Sequence, residues 1–225
     1  MRKFLIFACI FIACQTVNGQ VRKSVSILGD SYSTFQNYVF PDSNAVWYLD
    51  GKQKRTDVTS VEQTWWHQLI TNNGMKLEQN NSFSGATVCA TGYRGDDYSN
   101  RSFYNRALYL GSPDIIFVFG ATNDCWAKSP IGEFKYSGWT PEDLFTFRPA
   151  MACMLYRLLT RYPNTDLYFI MNCDLTEEIT SSCRDICAHY NVKFIQLEGI
   201  DKISGHPSIK GMNQIAEQVK AALSR

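Results

Sequence analysis

Five short runs of apolar residues are spaced along the chain, and each is predicted to form a β-strand. The third and fourth, DIIFVF and LYFIMN, are almost continuously hydrophobic. This pattern is typical of strands that are covered on both faces of a sheet. The five predicted strands span residues 24–28, 76–83, 114–119, 167–172 and 192–197.

Between these runs the apolar residues recur with helical spacing. The clearest helix start is Thr140-Pro141-Glu142-Asp143, with a capping residue, a proline in the first helical position and acidic residues in the first turn. The predicted helices span residues 61–72, 99–110, 141–161, 177–190 and 208–223. Strands that alternate with helices predict an α/β fold, here a three-layer α/β/α sandwich around a five-stranded parallel sheet of flavodoxin-like type.

The N-terminus has the charge and hydropathy pattern of a signal peptide. Arg2 and Lys3 precede an apolar run of 11 residues, 4–14, which is shorter than the about 20 residues that a membrane-spanning helix needs. We therefore expect residues 1–19 to be a signal peptide and residues 20–225 to be an exported domain. The alternative is a lipoprotein anchored through Cys14, because Ile-Ala-Cys loosely resembles a lipoprotein cleavage site.

Composition narrows the range of partners. The chain has 22 Lys and Arg residues against 21 Asp and Glu residues and no basic block, so we expect no nucleic-acid partner. Six of its eight cysteines lie beyond the leader, which permits disulfides without fixing their pairing. No Cys-x-x-Cys pair or histidine cluster indicates a metal site. We expect one domain, a monomer, without a metal or an organic cofactor.

Small polar segments follow the first three predicted strands. They read GDSYS, SFSGATVC and GATNDC, and a further segment, SGHPSIKGM, lies between the last strand and the last helix. In a parallel sheet the carboxyl ends of the strands form one edge, where ligands bind. Ser31 is thus a candidate nucleophile, although Gly-Asp-Ser taken alone is also ordinary turn chemistry.

These segments resemble the motifs of the SGNH, or GDSL-type, hydrolases, and the matching residues occur in the family's order. They are Ser31, Gly85, Asn123 and His206. The resemblance implies an oxyanion hole made by the N–H groups of Ser31 and Gly85 and by the Asn123 amide. Independently of it, an imidazole that titrates near neutrality can activate a serine hydroxyl, so His206 is the candidate general base.

The sequence departs from that family at one position. The family usually has an aspartate three residues before the histidine, whereas this chain has Ile203. Asp201 is the nearest upstream acid and is our candidate for orienting His206. The alternative is a Ser–His dyad in which a backbone carbonyl or Ser204 orients the ring.

The predicted function is an exported serine esterase that hydrolyses short-chain, above all acetyl, esters on carbohydrate. Trp47, Tyr48 and Trp126 are predicted to lie in loops near the nucleophile, where exposed aromatic rings would stack on sugars. Alternatives within the same fold are a longer-chain lipase, a thioesterase or an acyltransferase. A non-catalytic glycan-binding domain is the alternative from another class.

Overall fold

A five-stranded parallel sheet runs through the centre of the structure, a computed structural model that describes residues 21–223. The strands are β1 Ser24–Gly29, β2 Lys76–Asn80, β3 Ile115–Gly120, β4 Asp166–Met171 and β5 Lys193–Gln196. Their spatial order is β2-β1-β3-β4-β5, which is the flavodoxin-like order. The predicted signal peptide and Cys14 lie outside the described residues.

The central strands are buried because helices cover both faces of the sheet. Every residue of β1 and β3 is buried. Neighbouring residues of β1 point to opposite faces, so that Val25 and Ile27 join one hydrophobic core and Leu28 joins the other. Continuous apolar runs therefore mark these strands, as the sequence indicated.

Within residues 21–223, six helices flank the sheet. They are α1 Trp65–Asn72, α2 Phe103–Arg106, α3 Thr122–Ala127, α4 Phe147–Arg161, α5 Glu177–His189 and α6 Ile209–Leu223. Helices α1 and α6 pack on one face of the sheet, whereas α2, α4 and α5 pack on the other. The predicted three-layer α/β/α sandwich is confirmed.

Helix boundaries differ from the prediction where local hydrogen bonds interrupt the helical backbone. The helix predicted over residues 141–161 begins only at Phe147, because Thr146 is extended after a separate 3-10 turn, Asp143–Phe145. Of the helix predicted over 99–110, only α2, Phe103–Arg106, is helical. Beyond it, the carbonyl of Tyr109 accepts hydrogen bonds from the side chains of Gln79 and Asn81.

Two short elements near the sheet edge were not predicted from the sequence. One is α3, which follows β3, and the other is a hairpin of β6 Lys202–Ile203 and β7 His206–Pro207. Each of the six cysteines in the described range is a free thiol. Within residues 21–223, no helix combines the length and the apolar character that crossing a membrane requires.

Candidate active site

The chain turns sharply after β1, and this turn presents Ser31. The Asp30 side chain accepts a hydrogen bond from the Tyr32 N–H at 3.0 Å and so begins a 3-10 turn, Ser31–Ser33. Gly29 is required because a Cβ there would lie 2.5 Å from Ser82 Oγ. Asp30 therefore braces the turn, and the absent side chain of Gly29 lets the loop after β2 approach it closely.

The β6–β7 hairpin positions His206. Its two turn residues, Ser204 and Gly205, have φ values of 50° and 77°, as in the tight type I′ turn. Two tyrosines fix the hairpin to the body of the protein: Tyr32 Oη donates to the Gly205 carbonyl at 2.6 Å, and Tyr48 Oη donates to the Pro207 carbonyl at 2.8 Å. The histidine between these carbonyls is thereby held over the end of β1.

Ser31 and His206 are in hydrogen-bond contact. Ser31 Oγ lies 2.9 Å from His206 Nε2, and the Ser204 carbonyl oxygen lies 3.1 Å from Nδ1. A carbonyl oxygen only accepts hydrogen bonds, so Nδ1 carries the proton and donates to it. Nε2 then accepts from the Ser31 hydroxyl, which is the arrangement that a general base requires.

Asp201 does not reach the histidine, so the prediction that it orients His206 is wrong. Its carboxylate accepts a hydrogen bond from Ser208 Oγ, and Ser208 Oγ accepts from the Gly211 N–H at 3.1 Å. The physical reason is the tight hairpin, which pairs Ile203 with His206 and leaves Asp201 beside the start of α6. The structure contains the alternative arrangement, a Ser–His dyad whose ring is oriented by the Ser204 carbonyl.

Burial keeps the histidine neutral. The pKa of His206 is lowered to about 4, mainly because the surrounding protein excludes water from the charged ring. The nearby cations Arg55 and Lys202 lower this pKa further, while the hydrogen bond to the Ser204 carbonyl opposes them. His206 is therefore unprotonated at Nε2 throughout the neutral range.

Asn123 is oriented as an oxyanion donor would be. Its Oδ1 accepts from Tyr93 Oη at 2.8 Å, and its Nδ2 donates one hydrogen to the Ala86 carbonyl at 3.0 Å. An amide nitrogen has two hydrogens, so one N–H is left for a ligand. The helix that carries Asn123 follows Ala121, which has a φ of 72°, so the chain turns abruptly after β3.

Gly85 lies in the loop after β2, immediately before Ala86, whose carbonyl accepts from Asn123. Its φ of 82° favours glycine, although a Cβ at this position would meet no atom within 4 Å. In the hydrogen bonding of residues 21–223, neither the Gly85 N–H nor the Ser31 N–H is used. Both backbone donors are therefore available to a bound oxyanion.

Asp124 connects the loops that carry Gly85 and Asn123. Its carboxylate accepts hydrogen bonds from the N–H groups of Val88 at 2.8 Å and Cys89 at 3.2 Å. Burial raises the pKa of Asp124 to about 6, and it raises that of Asp30 to about 7. Like Asp30, Asp124 has the contacts of a turn-bracing residue.

The structure contradicts two of the three predicted aromatic platforms. Trp47 is half-buried: one face of its ring stacks on His206 at 3.6 Å, and the Arg55 guanidinium lies 4.2 Å from the ring centroid. Tyr48 is completely buried, because its hydroxyl is needed inside the fold to bond Pro207. Of the three, Trp126 is the exposed residue: it is 41% accessible and edge-on to His206 at 6.0 Å, so its ring offers a surface that a sugar could contact.

Three groups at the site were not identified from the sequence. Tyr93 orients Asn123, Arg55 covers Trp47, and Lys202 lies on the hairpin beside His206. None stands in a motif or in a recognisable spacing relative to Ser31. Of the three, Lys202 alone lies close in sequence to a predicted site residue, four positions before His206.

Comparison with known proteins gives matches over nearly the whole described chain. A family model for GDSL-like Lipase/Acylhydrolase matches residues 23–223. A structure described as a GDSL-like lipase from Bacteroides ovatus is 60% identical, with a TM-score of 0.90 over 91% of this chain and 99% of that chain. A second, from Bacteroides uniformis, is 52% identical, with a TM-score of 0.89 over 91% and 97%. Comparison with curated proteins gave no significant match.

More distant structures share the fold. A family two carbohydrate esterase from Clostridium thermocellum, in complex with cellohexaose, is 15% identical, with a TM-score of 0.63 over 90% of this chain and 63% of that chain. An acetyl xylan esterase from the rumen bacterium Butyrivibrio proteoclasticus is 16% identical, with a TM-score of 0.53 over the same shares. At such identities the likeness concerns the fold alone.

Proposed function

The chain belongs to the GDSL-like lipase/acylhydrolase family and is a hydrolase, and we propose that it is an exported serine esterase that removes short acyl groups, above all acetyl, from carbohydrate. The observation that carries the proposal is the 2.9 Å contact between Ser31 Oγ and a neutral His206 Nε2. Three unused N–H groups, on Ser31, Gly85 and Asn123, complete the set of groups that ester hydrolysis requires.

The reaction proceeds in two steps through an acyl-enzyme. Ser31 Oγ attacks the ester carbonyl carbon while His206 Nε2 takes the hydroxyl proton, and the resulting oxyanion is held by the three N–H groups. Breaking the bond to the alcohol oxygen releases the alcohol, which receives the proton from His206. Water then gives a proton to His206 and attacks the acyl carbon. The carboxylic acid leaves, and the proton returns to Ser31 Oγ.

The surroundings of the dyad favour a short acyl group. A long chain gains binding energy by burying about 0.8 kcal/mol per methylene, which requires a continuous apolar surface. Among residues 21–223, the large apolar side chains exposed beside the histidine are Trp126 and Ile203, at 41% and 37% exposure. Two isolated side chains offer little to an eight-carbon chain, so this surface supports acetyl esters rather than a lipase substrate.

Two observations support carbohydrate as the alcohol. The exposed ring of Trp126 borders the dyad, and the apolar C–H face of a sugar can pack on such a ring. The fold is also shared with esterases whose described substrates are carbohydrates. Export rests on the N-terminal sequence, where Arg2 and Lys3 precede the apolar run 4–14.

The test combines a chain-length series with a serine exchange. We expect p-nitrophenyl acetate to be hydrolysed far faster than the octanoate, and acetate to be released from at least one acetylated glycan. Ser31→Ala should lose roughly 10⁴-fold or more of this activity. Ser33→Ala is the matched control in the same turn. It removes the acceptor of a 3.3 Å hydrogen bond from Trp65 Nε1, and should cost stability rather than turnover.

Each alternative function predicts a different result. Preference for the octanoate, with no acetate released from any glycan, would indicate a lipase. Glycan binding without any hydrolysis would indicate a binding domain. For export, expression of the full chain in a bacterium should yield a protein that begins near Gln20 outside the cytoplasm. A product that begins with a lipid-modified Cys14 would indicate the anchored form.

A further inference from the structure

Three planar groups are stacked beside the nucleophile. The Trp47 ring lies 3.6 Å from the His206 ring at an interplanar angle of 5°, so the two faces are parallel and in contact. On the same tryptophan, the Arg55 guanidinium carbon lies 4.2 Å from the ring centroid. This stack, Arg55–Trp47–His206, covers one face of the imidazole ring, whereas the Ser204 carbonyl occupies its Nδ1 edge.

Trp47 is fixed to the nucleophile turn by its own backbone. Its N–H donates to Thr34 Oγ1 at 2.9 Å, and the same hydroxyl donates to the Ser31 carbonyl at 3.1 Å. The Trp47 carbonyl accepts a hydrogen bond from the Arg55 guanidinium. Hydrogen bonds therefore connect the backbone of Trp47, whose ring contacts His206, to the backbone of Ser31, which His206 activates.

An orienting carboxylate has two effects: it fixes the imidazole ring, and it stabilises the imidazolium that forms during the reaction. The Ser204 carbonyl holds Nδ1 and the Ser31 hydroxyl contacts Nε2, and two hydrogen bonds at the ring edge still leave the ring free to tilt about the line that joins them. A parallel aromatic face removes this freedom. The negative face of an indole also attracts a cation that lies over it.

The charged groups around the ring show why such support is needed. Lys202 on the hairpin and Arg55 behind Trp47 are cations that disfavour a charged His206. The carboxylates around the hairpin are directed elsewhere: Asp174 pairs with Lys202 at 3.4 Å, and Asp201 bonds Ser208. The buried Asp30 accepts from the Tyr32 N–H, and Asp57 accepts from the Ile209 N–H at 2.9 Å. The phenol ring of Tyr32 packs tilted against the imidazole at 5.3 Å and donates its hydroxyl to the hairpin.

We propose that Trp47 is a positioning residue that replaces the missing carboxylate by stacking on His206, and that Arg55, stacked on the same tryptophan, sets the basicity of the histidine. The proposal rests on the proposed role of His206 as general base. It also reassigns Trp47 from a substrate contact to a support for the dyad. The two roles predict different kinetics, because a support changes kcat and a substrate platform changes KM.

The first experiment measures kcat and KM for p-nitrophenyl acetate in Trp47→Leu and Trp47→Phe. We expect Trp47→Leu to lower kcat about 10- to 100-fold while KM stays within about twofold, and Trp47→Phe to recover most of the loss. Trp139→Leu is the matched control, because Trp139 contacts Tyr156 and Lys135 rather than the histidine. Its kcat should stay within about twofold of the wild type.

The second experiment follows the ring itself by a nuclear magnetic resonance titration of the His206 Cε1–H group. Removing the cation in Arg55→Met should raise the pKa of His206, by roughly 0.5 to 1.5 units for a charge two ring spacings away. The same shift should appear in the acid limb of kcat/KM. This titration needs no turnover, so it tests the stack even if the wild type proves not to hydrolyse esters.

Three results would overturn the proposal. One is a Trp47→Leu enzyme with wild-type kcat and KM. Another is a Trp47→Leu enzyme in which only KM rises, which would make Trp47 a substrate contact. The third is an unchanged or lowered pKa of His206 in Arg55→Met. Failure of the proposed function would look different: wild-type hydrolysis would be absent or would survive Ser31→Ala.

Discussion

Replacing Asp201 shows whether the site works as a Ser–His dyad or as a catalytic triad. In the structure the Asp201 carboxylate bonds Ser208 Oγ at the start of α6, and the Ser204 carbonyl occupies Nδ1 of His206. Asp201→Asn should therefore change kcat less than about fivefold. If the carboxylate were the partner of the imidazole, the same change would lower kcat about 10⁴-fold, through a wrong tautomer and an unsupported imidazolium.

The expected cost is to stability. Asp201→Ala removes a side-chain acceptor at a helix start and the negative charge near it, which together are worth about 1 kcal/mol at an exposed position. For a domain of about 200 residues this lowers Tm by roughly 2–4 °C. Asp201→Asn should cost less, because its amide oxygen still accepts from Ser208.

The assay pairs steady-state hydrolysis of p-nitrophenyl acetate with thermal unfolding of the same preparations. Wild-type protein, Asp201→Asn and Asp201→Ala are compared at pH 7. The reasoning predicts nearly constant kcat and a Tm that falls from the asparagine to the alanine variant. A 100-fold loss of kcat in Asp201→Asn at unchanged Tm would refute it and restore Asp201 as the orienting acid.

A pH profile and two substitutions test the remaining parts of the site. Because the pKa of His206 is about 4 and Nε2 must be unprotonated, titration of this residue should leave kcat/KM unchanged down to about pH 5 and lower it below about pH 4; a His206 ring titration centred near pH 6.5, distinct from those of Asp124 at about 6 and Asp30 at about 7, would contradict the buried base. Asn123→Ala should lower kcat about 10²- to 10³-fold with little change in KM, as for loss of one oxyanion donor, whereas an unchanged kcat would remove Asn123 from the site. Asp124→Asn replaces one acceptor of the Val88 and Cys89 N–H groups by a donor, so it should lower the free energy of unfolding by about 1–3 kcal/mol in a urea titration and also slow turnover; an unaltered midpoint would show that this bracing is unimportant.

The sheet could be predicted from the sequence because its central strands are covered on both faces. Such strands must be apolar at every position, so β3 and β4 stand out as continuous hydrophobic runs. Helix starts were less predictable, as α4 shows. Thr140-Pro141-Glu142-Asp143 has the composition of a helix start, but Thr146 adopts an extended conformation and separates a 3-10 turn from the helix proper.

In the candidate site, too, residues in local motifs could be predicted, whereas contacts between residues distant in sequence could not. Ser31 and His206 stand in short local motifs next to predicted strand ends, and the structure brings them within 2.9 Å of each other. The position of Asp201 depended on a hairpin with a two-residue turn, and no sequence pattern predicted the path of that hairpin. The environment of Trp47 depended on contacts with His206, distant in sequence, and with Arg55, so its half-buried ring could not be distinguished from an exposed one.

Direct detection of the acyl-enzyme tests the central claim, that Ser31 is the nucleophile of an esterase. The wild-type protein is mixed with p-nitrophenyl acetate, quenched in acid during turnover, digested and analysed by mass spectrometry, with Ser31→Ala treated identically. We predict that the peptide containing Ser31 gains the mass of one acetyl group, that fragmentation places it on Ser31 rather than Ser33, and that Ser31→Ala shows neither the adduct nor turnover. Continued hydrolysis by Ser31→Ala, or acetylation at another residue that turns over at the catalytic rate, would contradict the account.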